Sequence, residues 1–536
     1  MIFLSFDFGI TWDEGSQSYY GQLILRYFLS GGKNRDFMTH VYNNYLYGGL
    51  FDVLAGLAYA LPLDTVKHFA ITSPQETING LSNQYLHQSG FFETRHAANA
   101  LAGFLAMFYT GLLTKEISHW KTACLALIFM ALSPRFFGHS MNNPKDIPFA
   151  AAYVSSLYYM LRWLKEFPYP SAKNCFFLVI AMASAIGVRI GGIILIFYLI
   201  LFSALSLHRP ESRNMNRQAL IRLIGTLAAI ALLSYLGGLI FWPYGQLNPL
   251  KNPFLALREF FKFSAGVSQL LFEGKMISTT NLPWYYIPKW ILISSPLFAH
   301  AGVITFFLFF NKIWDTHNKL AISLVIFSLV FPLSMVFIQK PILYDEWRHF
   351  LFVYPSLIII STLGWECSFK MLQNKFYQFG IGTALLMFLY LPFSWMIRNH
   401  PHEYAYFNSL VGGLRGANGY YDTDYWGNSL RLCSEWLGGH IHEKVPGDSP
   451  QFIYADGDPM STFPYLRKKL GTRYIPFNLL PDLEKKQHPP NYGIFFSRSW
   501  SGELIRSGLW PPKESIYKVN ADNVTLCAVI ENPVPA

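Results

Sequence analysis

The chain has 536 residues, 52% of them hydrophobic and only 14% charged, against about 25% charged in ordinary soluble domains. Its net charge of +10 (42 basic residues minus 32 acidic) comes with no nucleic-acid motif, and the basic residues fall mainly between apolar runs. This excludes a soluble globular protein and a nucleic-acid binder, and it predicts an α-helical polytopic membrane protein.

Residues 1–9 are apolar but too short to span a bilayer, and they lack the basic flank of a signal peptide. Either the true start lies upstream with a further helix, or this segment dips into the membrane. Thr11-Trp12-Asp13-Glu14 then sets two adjacent carboxylates ahead of a helical stretch rich in aromatics, with Tyr19, Tyr20, Tyr27 and Phe28. A solvated loop tolerates such a pair, so the motif gains weight from the polar clusters expected on the same side. The apolar stretch 45–63 is nearly long enough to span. Asp52 and the glycines at 48, 49 and 56 favour instead a helix lying on the membrane surface. Were it to span, Asp13 would face the cytoplasm.

Ten spans follow, at roughly 92–113, 122–135, 147–164, 175–188, 192–207, 220–241, 288–310, 320–338, 349–366 and 376–397. Short loops rich in Lys and Arg stay in the cytoplasm. Lys115 with Lys121, Arg162 with Lys165 and Lys173, Arg209 with Arg213, Arg217 and Arg222, Lys312 with Lys319, and Lys370 with Lys375 mark such loops at every second gap. The other face then receives residues 1–91, the 135–146 loop, the turn at Arg189, the segment 242–287, the loop 339–348 and everything after about residue 398.

Polar clusters recur on that outer face. Between Pro134 and Pro144, which preclude a continuous helix, Arg135, His139, Lys145 and Asp146 crowd one short loop. A solvated loop with basic ends is the plain reading, and a phosphate-holding pocket edge is the functional one, since Arg and Lys both suit phosphate oxygens. Arg189 sits in Gly-Val-Arg-Ile-Gly-Gly, where a charge is costly unless it snorkels or is paired. Snorkelling to the interface is the plain reading, and an anion ligand or a partner for Asp13, Asp146 or Asp345 is the alternative. Tyr344-Asp345-Glu346-Trp347-Arg348-His349 precedes an apolar helix. Internal salt bridging explains it, yet Arg348 and His349 at a helix start also suit a lipid phosphate. The stretch 278–286, with Trp284 and Tyr285, offers hydroxyls and aromatic faces of the kind that bind sugars, although interfacial aromatics are also common for structural reasons.

From Asn399 the chain turns polar and rich in Pro and Gly, with strand-like runs at 451–454, 492–496 and 525–530 and a helix near 462–470. This reads as a small α/β domain, 399–536, outside the membrane, following a transmembrane domain, 1–398. Asp422 and Asp424 have Asp-x-Asp spacing, which is as much a turn or helix cap as a sugar or metal contact. His400 and His402 lack an evident third ligand, so no metal site is assigned and a divalent metal is left open. The five cysteines are scattered and indicate neither a disulfide framework nor a zinc site. A Cys433–Cys527 pair outside the cytoplasm is the disfavoured alternative.

These motifs together resemble the GT-C membrane glycosyltransferases, closest to bacterial family 39 members, relatives of protein O-mannosyltransferases and of the lipid A aminoarabinose transferase. The resemblance runs from residue 12 to about 437. It rests on Thr-Trp-Asp-Glu at 11–14, Glu-Thr-Arg-His at 93–96, Ser-Pro-Arg-Phe-Phe-Gly-His with Asn-Pro-Lys-Asp within 133–146, Pro-Trp-Tyr-Tyr at 283–286 and Asp-Thr-Asp-Tyr-Trp-Gly at 422–427. It implies about ten or eleven transmembrane helices, each about 20 residues long, and catalysis on the non-cytoplasmic face of the cell inner membrane. It also implies a polyprenyl-phosphate sugar donor, an acceptor lipid or protein, and Asp13 as general base, with Asp146 organising the site. The departure is the first helix, which in the family carries the chain outward before the Asp-Glu pair.

The residues suit that chemistry. A carboxylate takes the proton of an acceptor hydroxyl or amine as it attacks the anomeric carbon. The lipid phosphate that leaves needs fixed cations, for which Arg135, Lys145, Arg189 and Arg348 are the candidates. Glu14 is expected beside the base, and His139, Trp284, Tyr285 and Asp424 at the acceptor or sugar. An inverting displacement needs one base and no covalent intermediate. The alternative is a transporter or flippase for a lipid-linked sugar, which predicts ionisable residues deep within spans and paired repeats; neither is evident.

Overall fold

Each of the ten apolar runs folds as a helix or a helix pair in the computed structural model. It describes residues 1–39, 43–61, 90–210, 215–260, 267–372, 374–445, 447–480, 485 and 487–533. The principal helices in chain order are α1 (Trp12–Leu29), α2 (Leu50–Ala60), α3 (Phe91–Ile117), α4 (Trp120–Ala131), α5 (Pro134–Asn142), α6 (Asp146–Lys165), α7 (Ala172–Val188) and α8 (Ile194–Ser206). They continue with α9 (Arg217–Leu239), α10 (Tyr286–Ser294), α11 (Leu297–Leu308), α12 (Lys319–Gln339), α13 (Tyr354–Met371) and α14 (Lys375–Asn399). Arg213 and the last two residues of the 45–63 stretch lie outside the described residues.

Among the described residues, five helices are long and apolar enough to cross a bilayer unaided: α3, α9, α12, α13 with the 3₁₀ turn from Arg348 before it, and α14. Two of the expected spans are broken. α4 and α5 meet at 69°, and α10 and α11 at 116°. Proline sets both breaks. Pro134 opens α5, and Pro296 forces Ser295 into extended backbone (ψ 147°). The expected 135–146 loop is therefore mostly a nine-residue helix. In α13, 89% of the apolar window is buried, against 22% in α9 and α14, so α13 is the central helix while α9 and α14 turn most of their apolar surface outward. α3 packs on α6, α7 on α9, and α11 on α13. The last pair approaches closely because Gly302 and Gly364 face each other, and a Cβ on either would run into the opposite backbone.

Leu50–Ala60 of the 45–63 stretch is an α-helix of 11 residues. Asp52 is buried on α2, and its carboxylate accepts from Arg95 on α3 at 2.9 Å. A buried ion pair of this kind satisfies both charges where water cannot.

The C-terminal part forms a five-stranded mixed sheet. After a short hairpin, β1 (Gln269–Phe272) with β2 (Lys275–Ser278), come β3 (Gln451–Ala455), β4 (Tyr474–Pro476), β5 (Tyr492–Phe496), β6 (Ser515–Ala521) and β7 (Val524–Glu531). The order is β4-β3-β5-β7-β6, with β3 parallel to β4 and β5 and the other pairs antiparallel. Alternating burial along β3 turns Ile453 and Ala455 inward, against Leu437, Ile441 and Leu466 of α15 (Leu430–Lys444) and α16 (Phe463–Leu470). Cys433 on α15 and Cys527 on β7 form a disulfide, the pairing that scattered spacing had disfavoured. The sheet is not detached from the helices, since Ala521, Val524 and Leu526 share one apolar core with α13.

Candidate active site

Thr11 to Glu14 is a capping box rather than a loop. The Glu14 carboxylate accepts from the Thr11 backbone N–H at 2.9 Å and from its hydroxyl at 3.2 Å, which closes the first turn of α1. Glu14 is buried, and its second oxygen lies 3.1 Å from His96 Nε2. It therefore turns away from its neighbour, and Asp13 alone of the pair faces the cavity beyond. The α1 entry is pinned from distant parts of the chain. Gly9 N–H donates to Asn428 (2.7 Å), Asn142 donates to Gly9 O (2.9 Å), and Ile10 N–H donates to Tyr465 Oη (3.0 Å).

The break between α5 and α6 presents the second group. The Asn143 side-chain oxygen accepts the Asp146 N–H at 2.9 Å and its amide donates to the Asp146 carboxylate at 2.8 Å. Asp146 is buried between two arginines, Arg189 on one oxygen and Arg348 Nη1 at 3.3 Å from the other. Lys145 donates to Asn44 (3.1 Å), and its ammonium stands 4.0 Å from the centre of the Tyr47 ring. Burial lowers its pKa to about 8.

The loop before α13 presents the third. Asp345 and Glu346 hold successive left-handed backbone conformations (φ 54° and 65°), which non-glycine residues adopt only when their surroundings hold them. Asp345 bridges Arg348 (3.2 Å) and Arg498 (2.5 Å), and Glu346 bonds Arg135. Burial works to raise the Asp345 carboxyl, but Arg498 and Arg348 outweigh it and hold it below the usual range. Arg348 also reaches Asp13 at 3.5 Å.

A polar cavity of about 110 Å³ is lined by Asp13, Gln17, Lys145, Arg189, Arg348 and Asp458, together with Asn44, Tyr47, Tyr344 and His349. It adjoins an apolar cavity of about 850 Å³ between α8, α9 and α12, and Tyr47, Arg189, Tyr344 and His349 line both. Asp458 comes from the turn after β3. Its Oδ1 accepts the Met460 N–H at 2.8 Å, and burial, with the Asp13 charge adding to it, raises its carboxyl to about 6.

The structure thus gathers Asp13, Asp146, Lys145, Arg189 and Arg348, and separates the remaining expected residues. Arg135 is sealed between the Trp290 and Phe407 rings, with its εNH on Tyr406 O at 2.8 Å. His139 bonds Tyr425 Oη at 2.6 Å and meets Trp426 edge-on. Asp424 is fully buried and caps the turn into α15 through the N–H groups of Gly427 and Ser429, the structural alternative that its spacing allowed. Trp284 is 74% exposed over a different cavity, and Tyr285 bonds Glu273 at 3.1 Å. His400 pairs with Glu403 and Asp7, and among the described residues no three His, Cys, Asp or Glu side chains come together as a metal-binding group. Sequence reading missed Gln17, Asn44, Tyr47 and Asp458. Gln17 was within reach, because a capping box at Thr11 puts Asp13 and Gln17 four apart on one helix face.

Residues 89–236, about a quarter of the chain, match the family model described as dolichyl-phosphate-mannose-protein mannosyltransferase. That segment runs from α3 to α9 and carries Lys145, Asp146 and Arg189. No curated protein matches the chain. Among solved structures, the chain is similar to ArnT from Cupriavidus metallidurans bound to undecaprenyl phosphate. The two are 15% identical with a TM-score of 0.47, over 98% of this chain and 95% of that one. It is also similar to the oligosaccharyltransferase AglB from Archaeoglobus fulgidus in complex with an inhibitory peptide and a dolichol-phosphate. Here identity is 13% and the TM-score 0.44, over 95% of this chain and 69% of that one. The family match falls on the segment that supplies Lys145, Asp146 and Arg189, so this part of the chain is similar to the membrane mannosyltransferases that the family model describes.

Proposed function

We propose that this protein transfers a sugar from a polyprenyl-phosphate donor to an acceptor on the non-cytoplasmic face of the membrane, with inversion at the anomeric carbon. One observation carries the reading. The apolar cavity of about 850 Å³ and the polar cavity meet at Tyr47, Arg189, Tyr344 and His349, and Asp13 lies on the polar side of that junction. A ligand with a long apolar chain and an anionic head fits such a junction, and the family match agrees with that donor class.

In this reading the polyprenyl chain occupies the apolar cavity, and Lys145, Arg189 and Arg348 receive the phosphate. Asp13 takes the proton of the acceptor O–H or N–H as its oxygen or nitrogen bonds to the anomeric carbon. The bond from that carbon to the phosphate oxygen breaks, and polyprenyl phosphate leaves with its added negative charge facing the cations. Asp146 acts through others, fixing Arg189 and Arg348 from behind. Arg135, held by Glu346, supports the loop that carries Arg348. Residues 1–398 would carry the reaction, with 399–536 closing the site from outside. The Cys433–Cys527 disulfide supports the placement of that C-terminal part outside the cytoplasm.

The test is transfer of radiolabelled sugar from undecaprenyl-phosphate sugars in membrane vesicles of defined orientation. Transfer to an acceptor that only the non-cytoplasmic face can reach is expected. Transfer confined to the cytoplasmic face would refute the sidedness, and an unlabelled product with every donor would refute the activity.

A further inference from the structure

The phosphate cations and the base leave part of the polar cavity unused. Gln17 lies one turn along α1 from Asp13, on the same face, and its side chain is 1% exposed. Gln17 lines the cavity, and its buried Oε1 accepts no hydrogen bond from the protein. Leaving a buried acceptor unpaired is costly, and buried polar groups in folded proteins are otherwise almost always satisfied. Asp458 lines the same cavity from the C-terminal sheet, with one oxygen fixed by Met460 N–H at 2.8 Å. Two residues that carry acceptors therefore line the space beside Asp13, one from the helical part and one from the sheet part.

We infer that Gln17 and Asp458 form the subsite that reads the hydroxyl groups of the donor sugar. The inference rests on the proposed transfer reaction. A sugar whose phosphate is held by Lys145, Arg189 and Arg348 and whose anomeric carbon faces Asp13 has its ring hydroxyls as the nearest hydrogen-bond donors. An amide oxygen and a carboxylate at fixed positions suit donors in one configuration. An epimer that points one of those hydroxyls elsewhere leaves its acceptor unpaired, and this is how a buried polar site gains discrimination. Neither residue takes the transferred proton. They set which sugar is used rather than how fast the bond is made.

The experiment measures kcat/KM for undecaprenyl-phosphate glucose, mannose and galactose, the last two each differing from glucose by the configuration of one hydroxyl. It compares the full-length wild type with Gln17→Met and Asp458→Asn. Both substitutions keep size, and asparagine keeps an oxygen for Met460. Binding of undecaprenyl phosphate without a sugar, followed by thermal shift, serves as the check that each variant is folded, and it should be unchanged. The ratio between the best and the poorest donor should fall at least fivefold in each variant. A ratio within twofold of wild type in either variant overturns the subsite while leaving the transfer reaction standing. Equal use of all three donors by the wild type also overturns it. Absence of transfer by the wild type from any of them overturns the underlying reaction as well.

Discussion

Arg348 stands between two carboxylates, its Nη1 3.5 Å from Asp13 and 3.3 Å from Asp146. The two differ in surroundings. The Asp146 side chain is 1% exposed and also bonds Arg189, whereas that of Asp13 is 34% exposed on the cavity side. One guanidinium thus ties a buried anchor to a carboxylate that an acceptor can approach. Arg348→Ala should weaken donor use by about 1.5–3 kcal/mol, the scale of a hydrogen bond to a charged group. Arg348→Lys should recover part of this at most, because a point charge cannot serve Asp13, Asp146 and Asp345 from one planar group. Wild-type kcat/KM for the donor in the alanine variant would exclude Arg348 from the phosphate site.

Lys145 gives the site a pH signature. Burial lowers its pKa to about 8, so the ammonium is present below that value and lost as pH rises through it. A lysine that receives the donor phosphate must be charged to do so. KM for the donor should therefore rise between about pH 7 and pH 9. Lys145→Arg should flatten that rise. A donor KM independent of pH over this range in the wild type would contradict the role.

The apolar cavity can be closed without touching a charge. Gly191 lines it, and a Cβ there meets no atom within 4 Å. Gly191→Trp should fill the space proposed for the polyprenyl chain, raising KM for an undecaprenyl donor by tenfold or more, about 1.4 kcal/mol. A short-chain prenyl-phosphate sugar should be less affected. Equal losses for long and short donors would argue against a chain in that cavity.

How much of this the sequence discloses depends on the range of the interaction. The helices are legible because about 20 apolar residues in a row have few other fates. The 116° break at Ser295-Pro296 also follows from a local rule, since a residue before proline avoids the helical region. The position of Asp13 in a first helical turn is local too, written in Thr-x-x-Glu. Pairings over long separations are not legible. Arg135 and Arg189 are both candidates for the phosphate in sequence. One is neutralised by Glu346 and sealed off, and the other by Asp146 at the cavity. Asp458 enters the site from the turn after β3, more than 440 residues from Asp13, and no local pattern marks it. Cys433 and Cys527 meet because α15 packs on the sheet, which spacing alone does not foretell.

The central claim is that the Asp13 carboxylate takes the acceptor proton at the junction of the two cavities. The most direct measurement is single-turnover transfer from an undecaprenyl-phosphate sugar by wild type and by Asp13→Asn, with donor binding measured alongside. Asparagine keeps the size and the contact to Arg348 but cannot hold the proton. The expected result is donor binding within a few-fold of wild type and a transfer rate lower by about 10²–10⁴, the usual contribution of a general base. Transfer at the wild-type rate by a correctly inserted Asp13→Asn protein that binds donor would contradict it.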